Sequence, residues 1–179
     1  MDIYKLNFTI LQLEIFSLLC LRAGERFSQR ELAQMLKVSP MAVTNSVNGL
    51  KENLLIKLEK TKTINFISFN RENGRAVELK RAENIKNIYL SGLSDYLEQQ
   101  LAGGTIILFG SYSLGEDTST SDIDLAVIER KDKRLDLDKY EKTFHRKINL
   151  NFYSSWSEIH QHLKNNILNG ILLHGSIQL

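Results

Sequence analysis

A chain of 179 residues with 42% hydrophobic and 25% charged side chains has the composition of a globular protein able to bury a core of ordinary size. Its net charge of +2 hides an asymmetry: 11 Lys and Arg stand against 7 Asp and Glu through Arg75, and 12 against 14 beyond it. The apolar run around Ile10 to Leu21 is broken by Gln12, Glu14 and Ser17, which excludes a membrane span, and the chain lacks the basic start and small-residue cleavage site of a secretory leader. The single Cys20 reads as a buried thiol, and the expected address is cytoplasmic, with no membrane partner.

Ile10, Leu13, Phe16, Leu19 and Cys20 repeat at helical spacing until Ala23-Gly24, which predicts a first helix. Ser28 with Glu31 three residues on is a capping box for a short second helix whose buried stripe is Leu32, Met35 and Leu36. Ser39-Pro40 supplies a cap and a first-turn proline for a third helix, with Val43, Val47 and Leu50 on its inner face. Leu54-Leu55-Ile56 and the stretch from Ile64 to Phe69 read as strands around a basic turn, Lys60-Thr61-Lys62.

Three helices followed by a hairpin resemble a winged helix-turn-helix over roughly residues 5 to 70. The resemblance implies that the third helix enters a nucleic-acid groove and the wing rests on the backbone. By position, Ser39, Met41, Thr44, Asn45, Asn48 and Lys51 would face DNA or RNA, and Lys60 and Lys62 would meet phosphate. The alternative is a solvated helix face on a module used only for packing or dimerisation. The mildly basic front and acidic back suit a nucleic-acid-facing module joined to a cation-binding one.

From Asn70 to Gln100 the pattern is helical, with Val77, Leu79, Ile85, Ile88, Leu90, Leu93, Tyr96 and Leu97 as expected buried positions. Asn73-Gly74 and Ser91-Gly92 punctuate it into two or three helices. Thr105 to Phe109 is a β-branched, apolar run of strand length that ends directly at Gly110-Ser111. Gly110 lets backbone approach a ligand closely, and a helix starting after Ser111 would aim free N–H groups at an anion such as phosphate. Ile123, Leu125 and Val127 alternate with Asp122, Asp124 and Ala126, so both aspartates lie on one face of a second strand. Side chains two apart on a strand are about 6.6 Å apart along it, close enough to share divalent ions. Hard oxygen ligands favour magnesium or manganese. An EF-hand fits poorly, because Asp122 stands at the glycine position and Ile128 where the bidentate glutamate belongs.

Leu108-Phe109-Gly110-Ser111, then Gly115-Glu116-Asp117, then Ser121-Asp122-Ile123-Asp124-Leu125 resemble the signature of the polymerase β nucleotidyltransferase superfamily, particularly its minimal branch. The resemblance extends from about Gly104 to Trp156 and implies a small mixed sheet with helices packed on it. It further implies that Gly110 and Ser111 grip a nucleoside triphosphate, while Asp122 and Asp124 hold two Mg2+ or Mn2+ ions. Ser111, Asp122 and Asp124 are accordingly the expected catalytic residues. The family's third acid, in an apolar-Asp-apolar setting on a neighbouring strand, falls at Asn149 within the candidate strand Lys147 to Tyr153. Asparagine can lend a carbonyl oxygen to a metal, which makes Asn149 a candidate third ligand, but it cannot act as a base. Asp136 and Asp138 are the nearby acids that could compensate.

Towards the end, a helix is expected from Trp156 towards Leu168, with His160 and His162 on different faces of it, and Ile171-Leu172-Leu173 packing at the domain's edge. His145-Arg146-Lys147 reads as a solvated basic turn, with a substrate phosphate contact as the sharper alternative.

The expected architecture is α+β: a winged helix-turn-helix domain over 1–70, a helical connector over 71–101, and a nucleotidyltransferase-like domain over 102–179. Two functions follow. The first is transfer of a nucleoside monophosphate from a triphosphate to a hydroxyl of a nucleic-acid or protein acceptor, with the winged helix as recruiter. The second is a DNA-binding regulator whose degenerate transferase domain senses nucleotide without turnover. A second copy of the chain is a further candidate partner.

Overall fold

A computed structural model describes residues 8–62 and 64–178. The first seven residues of the expected winged helix domain lie outside the described residues. The chain divides into two compact units between Lys80 and Arg81.

In the first unit, α1 (Ile10–Leu21), α2 (Gln29–Leu36) and α3 (Pro40–Glu52) surround one core with Ile15, Leu19, Leu32, Val43, Val47 and Leu50 buried. Their starts are fixed by side chains. Ser28 Oγ accepts the Glu31 N–H while Glu31 accepts the Ser28 N–H at 2.7 Å. That backbone donor holds the Glu31 carboxyl below its usual range. Ser39 Oγ accepts from Ala42 N–H ahead of the proline. Thr9 and Gln12 form a second capping box at α1, which the hydrophobic pattern does not reveal.

β2 (Ile56–Lys60) and β3 (Asn65–Phe69) form the hairpin, and β1 (Phe27–Ser28) adds a third strand to give the order β1-β3-β2. The unit is a winged helix-turn-helix. Two expectations shift. The first wing strand begins at Ile56 rather than Leu54, because Leu54 N–H donates to Lys51 C=O and Leu55 N–H to Leu50 C=O, closing α3. This is the Schellman arrangement, and it puts Leu54 at φ +58, where glycine is usual. Met35, read as buried, is 45% exposed; Leu32 and Ala33 fill the inner face instead.

The second stretch of helix divides at Ser91-Gly92 as its punctuation indicates, into α4 (Gly74–Leu90) and α5 (Leu93–Gln100), with Gly92 at φ +75. Ile88, Leu93 and Leu97 are buried, whereas Leu79 and Leu90, read as buried, are 36% and 77% exposed. Apolar residues at 79 and 90 do not share the stripe of Asn84 and Ile88, and the stripe wins.

In the second unit, β4 (Thr105–Phe109), β5 (Ile123–Ile128), β6 (Ile148–Tyr153) and β7 (Ile171–His174) form a sheet of order β6-β5-β4-β7. β4 pairs antiparallel with β5 and β7, and β5 pairs parallel with β6, so the sheet is mixed. One face carries Ile106, Leu108, Ile123, Leu125 and Val127 and packs with Leu93 and Leu97 of α5, Tyr112 of α6 (Gly110–Leu114), and Tyr140 and Phe144 of α7 (Asp138–Phe144). The other carries Ile107, Phe109, Ala126 and Ile128 under Trp156, Ile159 and Ile167. Each fully buried aliphatic side chain of this kind contributes about 1.5–3 kcal/mol, which makes the two-sided sheet the rigid part of the unit.

The tail departs from its expected single helix. A 3-10 turn, Trp156–Glu158, gives way at Ile159, whose extended backbone sends its side chain into the core, before α8 (Gln161–Leu168) begins. His160 therefore precedes α8, and its ring stacks on His162 at 5.7 Å instead of diverging from it. Ile171-Leu172-Leu173 is a strand, not loose packing. It lies against β4, where a Cβ at Gly170 would collide with the Leu108 carbonyl.

Candidate nucleotidyl-transfer site

β4 and β5 together place the first part of the site. Phe109 pairs with Asp124 in the antiparallel ladder, so the turn after β4 lies beside that carboxylate. Gly110 sits at φ +73, and a Cβ there would stand 3.0 Å from Asp124 Oδ2, so both backbone and space call for glycine. Ser111 follows in α6, and no side chain caps that helix's first turn. Ser113 Oγ donates to the Gly110 carbonyl at 2.8 Å, fixing the turn from the inside.

Asp122, just ahead of β5, and Asp124 within it share a face, as the alternation predicts. Across the parallel ladder Asp124 pairs with Asn149. The Asn149 amide donates to Asp122 Oδ2 at 3.2 Å and to Asp124 Oδ1 at 3.0 Å. The residue read as the third acid position therefore stands beside both aspartates. Asp122 and Asn149 are exposed and Asp124 is half-buried, so the pair opens to solvent.

Asp136 and Asp138 do not compensate. Asp136 accepts the Asp138 N–H at the start of α7, and among the described residues no cluster of three His, Cys, Asp or Glu includes the pair. The donor set is two carboxylates and one carboxamide oxygen, reached by turning the Asn149 amide over. These hard oxygens fit a magnesium or manganese ion whose remaining positions are taken by water and phosphate.

A buried brace holds the loop that carries Asp122. Arg146, with its side chain 1% exposed, pairs with Asp117 at 2.9 Å, and Asp117 is fully buried. The Arg146 guanidinium also donates to the carbonyls of Thr118 and Ser121, the residue before Asp122. Asn84 on α4 donates to Asp117 Oδ1 at 2.7 Å and to the Tyr112 carbonyl at 2.8 Å. The Arg146 guanidinium lies 5.4 Å from the centre of the Tyr112 ring. Burial, reinforced by Asp117, pushes the Tyr112 phenol well above its ordinary pKa against the opposing pull of Arg146.

The solvated turn read at His145-Arg146-Lys147 is thus corrected at its middle residue, which is a strut. The sequence pattern does not mark Asn84 as part of the site, and it offers Arg146 only within a basic turn that could meet phosphate. The available signal was Asn84 standing four residues before Ile88 on one helical stripe.

In the first unit, Met41, Asn45, Asn48 and Lys51 are exposed on α3, and Lys60 and Lys62 are exposed on the wing. Ser39 and Thr44 are partly occupied: Ser39 caps the helix, and Thr44 Oγ1 donates to the Pro40 carbonyl at 2.9 Å.

The comparisons with known proteins divide along the chain. Residues 90–174 match the family model of the nucleotidyltransferase domain. This segment is similar to nucleotidyltransferase domains. The Gly110-Ser111 turn, the two aspartates and Asn149 all fall inside it. Solved structures similar to the N-terminal part include a mutant of Lactococcus lactis ZitR, at 21% identity and TM-score 0.42, covering 56% of this chain and 66% of that one. The adhesin competence repressor AdcR of Streptococcus pyogenes matches at 18% identity and TM-score 0.41, covering 54% and 69%. The transcriptional regulator BldR of Sulfolobus solfataricus matches at 23% and 0.38, covering 55% and 71%. This chain spans just under two thirds of ZitR. No curated relative matches the chain in sequence. No described helix is long and apolar enough to cross a membrane.

Proposed function

We propose that the nucleotidyltransferase domain binds a nucleoside triphosphate with magnesium or manganese and transfers its nucleoside monophosphate to an acceptor hydroxyl, releasing pyrophosphate. The observation that carries this reading is the convergence of Asp122, Asp124 and Asn149 beside a glycine turn that admits no side chain. Asp122 and Asp124, with the Asn149 oxygen, would hold the cation, which when bound neutralises phosphate charge and polarises the phosphoryl group. Gly110 backbone and the Ser111 hydroxyl hold the triphosphate tail. The acceptor oxygen bonds to the α-phosphorus, the bond to the pyrophosphate oxygen breaks, and the acceptor proton passes to water. Asn149 orients the two carboxylates but takes no proton.

A second reading, nucleotide sensing without turnover by a DNA-binding regulator, is favoured by that same Asn149, since two ligands remain where a base is missing. Both readings require the pair. Replacing Asp122 and Asp124 together with Ala should abolish cation-dependent triphosphate binding in calorimetry; unchanged affinity would sink both. Incubation with labelled triphosphates, either cation, and RNA and protein acceptors separates them, because label moves only in the first.

The winged helix domain is proposed as the nucleic-acid recruiter, using the exposed α3 face and wing. Log affinity for duplex DNA or structured RNA should fall with log salt. Removing Lys60 and Lys62 together should lower that slope by about 2, from the loss of two phosphate contacts. If no nucleic acid binds at low salt, the unit is an interaction domain.

A further inference from the structure

His160 and His162 are two apart, a spacing that on one continuous helix turns side chains away from each other. The break at Ile159 removes that constraint. His160 holds φ -57 and ψ 140 ahead of α8, outside helical backbone, while His162 lies in the first turn, and their rings stack with centres 5.7 Å and planes 26° apart. Both side chains are exposed, and neither has a hydrogen bond or ion pair among the described residues.

The segment that carries them is fixed on both sides. Ile159 is buried just before it, and Leu163 packs against the same cluster just after it. The His160 carbonyl accepts the Lys164 N–H at 2.9 Å, and Gln161, between the two histidines, donates along the helix to Asn165 at 3.0 Å. An ordered backbone therefore presents two free imidazoles side by side. The other two histidines of the chain are placed elsewhere: His145 ends α7, and the His174 ring lies 2.6 Å from Ser94 Oγ.

Each neutral imidazole offers one nitrogen lone pair. Such nitrogens suit Zn2+, Cu2+ and Ni2+, whereas carboxylates, carbonyls and water suit magnesium and manganese. Zn–N bonds of about 2.0–2.1 Å in a tetrahedral arrangement put the centres of two ligating rings roughly 5 Å apart. The separation in this chain is close to that, so rotation of the two side chains would aim one nitrogen of each ring at a shared ion.

We propose that His160 and His162 form a two-nitrogen chelate for a late first-row divalent ion of the Zn2+, Cu2+ and Ni2+ class, built from different donors than the aspartate pair. No third His, Cys, Asp or Glu joins them among the described residues, so water completes the shell. An ion held by both rings would staple the first turn of α8 to the segment that carries Ile159 into the core.

The test titrates Cu2+ and Zn2+ separately into the full chain in excess Mg2+, by calorimetry, with electron paramagnetic resonance of the copper form counting its nitrogen ligands. One Cu2+ per chain should bind with two imidazole nitrogens in its shell, and more tightly than Zn2+, as the general order of affinities requires. His160→Ala and His162→Ala should each weaken binding about ten-fold or more, because the second nitrogen acts at high effective concentration only while both are present. His145→Ala should leave it unchanged. Both side chains of the pair are exposed, so their replacement leaves the core untouched. Affinity unchanged in either variant of the pair overturns the proposal, as does a copper shell with a single nitrogen. A copper signal kept without the two histidines, and lost on replacing Asp122 and Asp124, assigns the ion to the carboxylates and overturns it too.

Discussion

Asn149→Asp should raise nucleotidyl transfer by roughly 10²–10⁴-fold, the usual contribution of a positioned general base. The asparagine already stands across the ladder from Asp124 with its amide 3.0 Å from that carboxylate, so the substitution introduces an anionic oxygen and a proton acceptor without moving the backbone. It also exchanges two donated hydrogen bonds for a third negative charge. Without divalent cation the thermal midpoint should therefore fall, and magnesium or manganese should restore it, because three carboxylates repel one another until a cation joins them. A rise in transfer supports a native protein that is a slow enzyme or a sensor. Brisk transfer by the native chain with no gain in the variant would show that another group takes the proton.

Asp117→Ala should destabilise the second unit by about 3–5 kcal/mol, the range for removing one partner of a buried ion pair. The guanidinium of Arg146 is 1% exposed and would be left in the interior without its counter-charge. Urea unfolding of the full chain, followed by a probe packed on the sheet such as Trp156, measures the loss. Replacing both partners by apolar residues, Asp117→Leu with Arg146→Met, should recover much of that stability, since the cost lies in the unpaired charge rather than in the missing bond. Triphosphate affinity should not recover with it. The carbonyls of Thr118 and Ser121 would still lack the donor that fixes the loop ahead of Asp122.

What could be read from the sequence was whatever is encoded locally. The caps at Ser28 and Ser39, the break at Ser91-Gly92, the run into Gly110 and the alternation around Asp122 and Asp124 are properties of neighbouring residues, and the fold reproduces them. The position of Asn149 was also legible, through the family resemblance, which puts a third acid in an apolar setting on the neighbouring strand. The misreadings arise where distant segments decide. β1 is two residues long and exists only because β3 lies beside Phe27. β7 looks like a packing run until β4 provides its edge. Arg146, between two other basic residues, looks solvated, and only the fold brings to it Asp117, which Asn84 holds. Leu54 shows the reverse case: a local rule favouring glycine is overridden because the α3 carbonyls need their donors.

The brace has one further consequence. Arg146 lies three residues before Asn149, on the segment that leads directly into β6. Its guanidinium fits one slot, formed by Asp117 and two carbonyls of the loop before β5. An outer strand has only one neighbour to align it, and a slip of a single residue would present Ile148 or Leu150 to the aspartates in place of Asn149. Arg146 thus acts as a peg that indexes the edge strand, so that the side chain set beside the two aspartates is chosen by an anchor on the opposite side of the loop.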